Sequence, residues 1–470
     1  MASLERWRLG RFDRLPEAGP WVSPVTAAVL VLLPYTAPAW PVALFTGVAL
    51  VLLACLAPRG PLIALPLTLG LVYQPMPTGL GSARVSPAEL LIVASATGAA
   101  LRGTWSVARL ASRSRSAKAA VLTRIGQLRF SALALGLLVV GATSLGTVAD
   151  PTHFRESLRE FRWVIVEPVV AYLLYCWYLR DPSDRWRAAG GWVVAGSLVG
   201  LYSIGAGLAG SGIQVEGVLR ISGLHPHPNA LALYLERPLV LAATIALLGD
   251  RRRWLWAIPT ALLTSALVLT FSRGALASVV LTLGLVSLVT QRYRQALALA
   301  AAGACLALVL TLVAPERILT SFYGGSGSLR LHIWSSAVAM VRDSPLLGVG
   351  LDQFLYQYAP RYVAPEAWPE RFTSHPHNLV LDAWLRLGLA GVVLLICGTV
   401  LVLRCLYHAA RSRNALALAA SFVIVEGGVH GLVDNGYFLP DLALAFWLLA
   451  AILEPESRSP AHQAEAGREG

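Results

Sequence analysis

Two stretches of this 470-residue chain set histidine, proline and asparagine directly ahead of a long apolar run. One reads RISGLHPHPNALALYL and carries Arg220, His225, His227 and Asn229; the other reads TSHPHNLVLDAWLRLGLAG and carries His375, His377 and Asn378. Asparagine is a favoured helix N-cap because its side-chain oxygen satisfies the orphan amides of the first turn. Proline just ahead fixes the path into the helix. Capping is therefore the expected structural role of Asn229 and Asn378. A capped helix start also aims amide dipoles outward and favours anions there. An imidazole held at such a point, partly desolvated and near arginines, is expected to be neutral near pH 7. That is the form a general base needs.

Three arginines extend the chemistry: Arg220, Arg273 in the short turn of TFSRGALAS, and Arg330 in SLRLHIW. Guanidinium groups suit bidentate binding of phosphate. Two such arginines, a helix N-terminus and a neutral histidine would make a site for a phosphate-bearing lipid with a proton acceptor beside it. The competing reading is a metal held by His225, His227, His375 and His377, with Glu366, Glu370 or Asp434 as acidic partners. The HPH spacing matches no standard ligand pattern, and arginines nearby oppose a cation, so no metal is expected. The five cysteines show no CxxC spacing, which points away from a thiolate zinc site or a disulfide framework.

These groups must be positioned by membrane helices. The chain is 56% hydrophobic and only 14% charged, with mean hydropathy +0.62, where a soluble globular protein carries roughly 25% charged residues. The net charge of +12 fits arginine-rich cytoplasmic loops rather than nucleic-acid binding, since no basic-aromatic face is interleaved along the chain. Apolar stretches predict an all-α polytopic bundle of about fourteen spans, or about twelve if 61–77 and 86–101 form a re-entrant pair. Expected spans include 161–179, 296–313 and 379–403. Residues 1–21 read as a cytoplasmic tail, 22–453 as one transmembrane domain, 454–470 as a disordered cytoplasmic tail. Arginines recur in alternate loops, which places both termini inside and puts a long loop, 314–378, outside. Its aromatic content predicts a folded, partly membrane-hugging element with short helices.

Charges inside the spans are costly unless paired. Asp382 with Arg386, and Glu426 with His430, lie four residues apart on shared helix faces and are expected to pair. Glu89, Glu167, Glu236 and Arg237 also fall within spans. Arg155, Arg159 and Arg162 read as interfacial side chains reaching for headgroups. A transporter of a small anionic or sugar-linked solute would also place charges in spans, but no inverted repeat is evident and the notable groups lie at the outer face.

The spacing in HNLVLDAWLRLGLAG resembles the signature of the O-antigen ligase and O-antigen polymerase family of bacterial membrane glycosyltransferases. RISGLHPHPNALALYL, TFSRGA, LRLHIWSSAVAMVRDSPLLGVGLDQF and VHGLVDNGYF resemble further stretches of that family, in its order, across the C-terminal half. The resemblance implies inverting, metal-independent transfer of glycan from an undecaprenyl-diphosphate carrier to a glycan or lipid A-core acceptor, without a cofactor, at the periplasmic face of the inner membrane. It makes His377 the catalytic group and Arg220 and Arg273 the diphosphate binders. Asn378, His375, Arg330, His227 and Asn229 are expected to support them. The extra histidines, His225 and His375, go beyond the minimal signature.

Overall fold

The computed structural model describes residues 21–79, 83–109, 125–215, 218–249, 254–295 and 326–455, with residues 123, 297, 298, 301 and 305 standing between them. Residues 1–20 and 456–470 of the predicted tails and most of the expected span 296–313 lie outside the described residues, while Glu454, placed at the start of the second tail, is buried and accepts from the Tyr172 hydroxyl (2.7 Å). Strand is confined, among the described residues, to two small antiparallel hairpins: β1 (Met76–Pro77) with β2 (Arg84–Val85), and β3 (Ile213–Val215) with β4 (Val218–Arg220). The rest of the regular structure is helical. In chain order come α1 (Val22–Thr36), α2 (Trp40–Leu56), α3 (Arg59–Ala64), α4 (Pro87–Arg109), α5 (Ser131–Ser144), α6 (Phe154–Glu160), α7 (Glu167–Tyr178) and α8 (Pro182–Leu208). They are followed by α9 (Pro228–Leu248), α10 (Trp254–Leu269), α11 (Arg273–Val289), α12 (Ser326–Asp343), α13 (Phe354–Arg361), α14 (Leu379–Ser412), α15 (Ala415–Gly431) and α16 (Pro440–Ile452). The protein is an all-α, polytopic helical bundle.

Among the described residues, α8, α9 and α14 are each long and apolar enough to cross a bilayer, and six further apolar helices run 10–17 residues. The count falls below the twelve to fourteen expected for two reasons besides the undescribed stretch. Residues 59–71 fold as α3 and a 3-10 turn bent 115° from α2, so the bend joins 59–71 to α2 and not to 86–101, which lies from residue 87 on in the continuous helix α4. Several other helices stop short because turns end them early.

Helix α9 is the centre of the bundle. It is apolar on every side, and a helix of that kind must be buried by its neighbours; α10 and α15 cover it, and the apolar window is 89% buried. Its N-terminus starts at the first HPH stretch.

Helix α14 follows the second stretch but breaks nine residues in. Gly388 adopts φ 68, ψ −165, a conformation that glycine reaches without steric cost. The freed backbone groups are recovered by the DSPLLGVG stretch. Leu389 N donates to Leu346 O (3.0 Å), while Val349 N (2.7 Å) and Gly350 N (3.1 Å) donate to Leu385 O. Among the described residues, those from 326 to the start of α14 have a small core of their own. Ile333, Ala337 and Met340 of α12, Phe354 and Tyr358 of α13, and Ala367 form a small core that also takes in Leu385. This core fixes the approach to His375 and His377.

Candidate functional site

His377 sits one residue before the N-cap of α14, in the left-handed region at φ 52. That conformation costs a non-glycine residue about 1–2 kcal/mol and persists only where the surroundings over-determine it. They do so here. The amide of His377 donates to His375 Nδ1 (3.2 Å), and its carbonyl accepts from Trp334 Nε1 (3.3 Å). Next to it, Asn378 Oδ1 accepts from Val380 N (3.0 Å) and Leu381 N (3.1 Å), the predicted cap. Asn378 Nδ2 donates to Leu432 O (3.0 Å), which ties the helix start to the end of α15.

The imidazole of His377 is aligned at both nitrogens. Nδ1 lies 3.1 Å from Asp434 Oδ1, and Nε2 lies 3.3 Å from Thr373 Oγ1. Arg330 donates to the other Asp434 oxygen (2.9 Å), and Asn435 N donates to Oδ1 (2.8 Å). Burial alone would raise the Asp434 carboxyl, but the charge and hydrogen bond of His377 and the charge of Arg330 overrule it and hold it well below the carboxylate range. His375 is pushed well below the imidazole range, first by burial and then by the charge of His377, so it serves as a neutral acceptor for the His377 amide.

The first stretch forms a neighbouring wall and corrects one expectation. Asn229 does not cap α9. Pro228 occupies the first helical position, so the cap falls on His227, whose Nδ1 accepts from Asn229 N (3.2 Å). The Asn229 oxygen instead receives Arg220 (2.5 Å), whose Nε donates to Thr270 O (2.6 Å). Arg220 therefore ties the β3–β4 hairpin to the turn between α10 and α11 and to the start of α9. Burial lowers His227, and the charge of Arg220 lowers it further; the charges of Asp434 and His377 also reach it, so the two stretches share one field. His225 lies apart, buried between the rings of Tyr73 (5.5 Å) and Tyr234 (5.1 Å). Burial pushes it down to about 3, and neither ring nitrogen has a hydrogen-bond partner among the described residues. It fills space rather than lining the site.

Arg273 is the first residue of α11, half-buried, with Ser272 at the N-cap position. A methyl group on the following Gly274 would fall 2.7 Å from His430 Nε2 and 3.5 Å from Val433. The Arg273 turn thus packs against the segment that leads into Asp434.

Residues 258–396, which include Arg273, Arg330, His375, His377 and Asn378, match the family model described as O-antigen ligase. This segment is similar to the O-antigen ligase family. A 223-residue stretch is also 26% identical to the exopolysaccharide production protein ExoQ of Rhizobium meliloti (strain 1021), covering 44% of this chain and 51% of that protein. The chain thus spans about half the length of the curated relative it matches.

The turn VDNGYF, beyond the matched segment, is a hub of hydrogen bonds beside His377. The sequence offers Asp434 only as a metal partner, yet it aligns His377. Asn435 Oδ1 shapes the turn by accepting from Tyr437 N (3.0 Å) and Phe438 N (2.8 Å), and its Nδ2 reaches Asp382 (3.3 Å). Asp382 pairs with Arg386 (2.6 Å) as expected, and Arg386 also binds Glu160 and the carbonyl of Ser374 (3.3 Å). One guanidinium therefore braces both the HPHN and VDNGYF segments. The expected Glu426–His430 pair is replaced. His430 Nδ1 meets Glu236 (2.7 Å), which also binds Arg237 (2.7 Å), while Glu426 accepts from Ser278 (2.8 Å). Arg159 and Arg162 are ion-paired rather than simply reaching for headgroups. Arg159 meets Asp352 (3.3 Å), and Arg162 meets Glu89 (2.9 Å) and Glu167 (3.3 Å).

Among the described residues, two groups of side chains could hold a metal by spacing: His375, His377 and Asp434, and separately Glu236, Glu426 and His430, each with ligand atoms within 4.8 Å of one another. Glu366 and Glu370, the expected acidic partners, are exposed and belong to neither. In the first group His375 Nδ1 is taken by an amide and Asp434 by Arg330. Those partners make it a poorer cation site than its spacing implies.

Proposed function

We propose that this protein is a membrane glycosyltransferase that moves a glycan from an undecaprenyl-diphosphate carrier to an acceptor hydroxyl, inverting the anomeric carbon without a metal. The observation that carries this is the line Asp434–His377–Thr373. With its Nδ1 proton donated to Asp434, the imidazole turns Nε2 toward a hydroxyl oxygen, in the resting arrangement that of Thr373, whose proton can also go to the His375 carbonyl (3.2 Å). An acceptor hydroxyl taking that place attacks the anomeric carbon as the bond from that carbon to the diphosphate oxygen breaks. Its proton passes to Nε2, and Asp434 stabilises the imidazolium that forms. The diphosphate leaves with its charge, which Arg220 and Arg273 stabilise. Arg220 donates to the Thr270 carbonyl and the Asn229 side chain, which hold its guanidinium rigidly at the start of α9. Arg330 already supplies positive charge beside the dyad, the role a metal would otherwise fill.

In this reading the site faces the periplasm, the protein lies in the inner membrane and both termini are cytoplasmic. The acceptor is either another lipid-linked glycan, making the enzyme a polymerase, or a lipid A-core, making it a ligase. Glycan transfer by the purified protein in chelator, with lipid-linked donor extracted from the source cells, tests the assignment. The wild type should transfer, and Arg273→Ala should lose transfer while remaining folded. Near-normal transfer by Arg273→Ala would remove its role, and loss of wild-type transfer in chelator alone would favour a metal at His375, His377 and Asp434.

A further inference from the structure

The segment PEAWPERF, between α13 and the HPHN stretch, presents large aromatic rings to solvent on a rigid mount. Pro365–Glu370 forms a 3-10 turn, and Ala367 beneath it is fully buried in the small core of α12 and α13. Trp368 is 55% exposed and Phe372 is 69% exposed. The Arg371 guanidinium lies between them, 4.8 Å from the Trp368 ring and 4.5 Å from the Phe372 ring, and donates to Trp368 O (3.0 Å). Thr373 follows at once; its amide donates to Glu370 O (3.0 Å), and its hydroxyl is the one at His377 Nε2. Phe372 is therefore the sequence neighbour of the residue at His377 Nε2, and Arg371 links Trp368 to it.

We infer that Trp368 and Phe372, steadied by Arg371, are a sugar-binding platform that holds a pyranose unit of the glycan beside His377, a subsite that rests on the transferase reading of the site. The apolar C–H face of a pyranose stacks on an aromatic ring, and its rim hydroxyls seek charged partners. Arg371 and the exposed Glu366 and Glu370 supply these around the rings. The other partner available to such rings is the bilayer surface. Two carboxylates within the same six-residue turn oppose it, because they would be drawn toward the low-dielectric interface and anionic lipid with the rings.

The test uses the full-length protein in lipid nanodiscs, with extracted lipid-linked donor and, as acceptor probe, oligosaccharides from partial acid hydrolysis of the source cells' surface polysaccharide. Trp368→Ala and Phe372→Ala should each raise KM for the acceptor probe on the order of tenfold with kcat within about twofold, and Trp368→Phe should restore most of the loss. Unchanged KM in both alanine variants, in a preparation whose His377→Ala variant is dead, overturns the platform and leaves the transferase reading standing. Full transfer by His377→Ala sinks the transferase reading instead. Nanodiscs with brominated lipid give the remaining arm. Selective loss of the Trp368 fluorescence contribution, measured as wild type minus Trp368→Phe, would make the segment a bilayer anchor and overturn the proposal.

Discussion

Asp434→Asn is the most informative single change at the site. The substitution keeps shape and removes one charge, and the hydrogen bonds around the carboxylate set its consequence. Asp434 Oδ1 accepts from both His377 Nδ1 and Asn435 N, and Oδ2 accepts from Arg330. If the new amide nitrogen replaces Oδ2, it faces the Arg330 guanidinium, donor against donor. If it replaces Oδ1, it faces the Asn435 amide and forces the His377 proton onto Nε2, where no base remains. In both orientations the imidazolium formed during transfer loses its counter-charge. Opposite charges about 4 Å apart at an effective dielectric of 20 interact by about 4 kcal/mol. That is roughly a thousandfold in rate, within the 10²–10⁴ range of positioned acid–base catalysis. Single-turnover transfer by purified protein reads it, with thermal unfolding to confirm a folded variant. The double variant with His377→Ala should be no slower than His377→Ala alone, because the carboxylate acts through the imidazole. A kcat for Asp434→Asn within about fivefold of wild type, or full additivity in the double variant, would refute the reasoning.

His375 binds a proton less readily folded than unfolded. Its contribution to stability is therefore fully present above about pH 6.5 and is lost as pH falls below it. His375→Asn keeps an oxygen to accept the His377 amide but does not titrate, so its melting temperature should fall less steeply from pH 7 to 5; equal slopes would contradict this. Gly388→Ala places a methyl group against Leu346 O and 2.8 Å from Leu347 at a positive φ, so it should destabilise by about 2 kcal/mol or more, visible as a lowered melting temperature.

The two HPH stretches show how much of the site can be read in advance. They differ by one proline. Without a proline after His377, Asn378 caps α14 as its residue type predicts, whereas Pro228 moves the cap of α9 back to His227 and frees Asn229 for Arg220. The preference of proline for the first helical position holds that information. The partner of His377 is not legible, because Asp434 lies 57 residues away and reaches it only when the turn after α15 folds against the start of α14. The break in α14 is hidden for a related reason. Hydropathy runs unbroken through Gly388, and the groups that repair the ladder come from residues 346–350. Charged residues in the spans find partners, as their cost requires, but His430 finds Glu236 on another helix instead of Glu426 on its own. Helix periodicity gives neighbours along one helix and is silent about those across the bundle.

The central claim is that His377 is the base for glycan transfer and acts without a metal. Single-turnover transfer by purified His377→Ala in chelator, at saturating lipid-linked donor and with donor binding measured in parallel, tests it most directly. The account predicts a rate lowered by about 10²–10⁴ relative to wild type under the same conditions, with donor binding retained. A rate within a few-fold of wild type would contradict it.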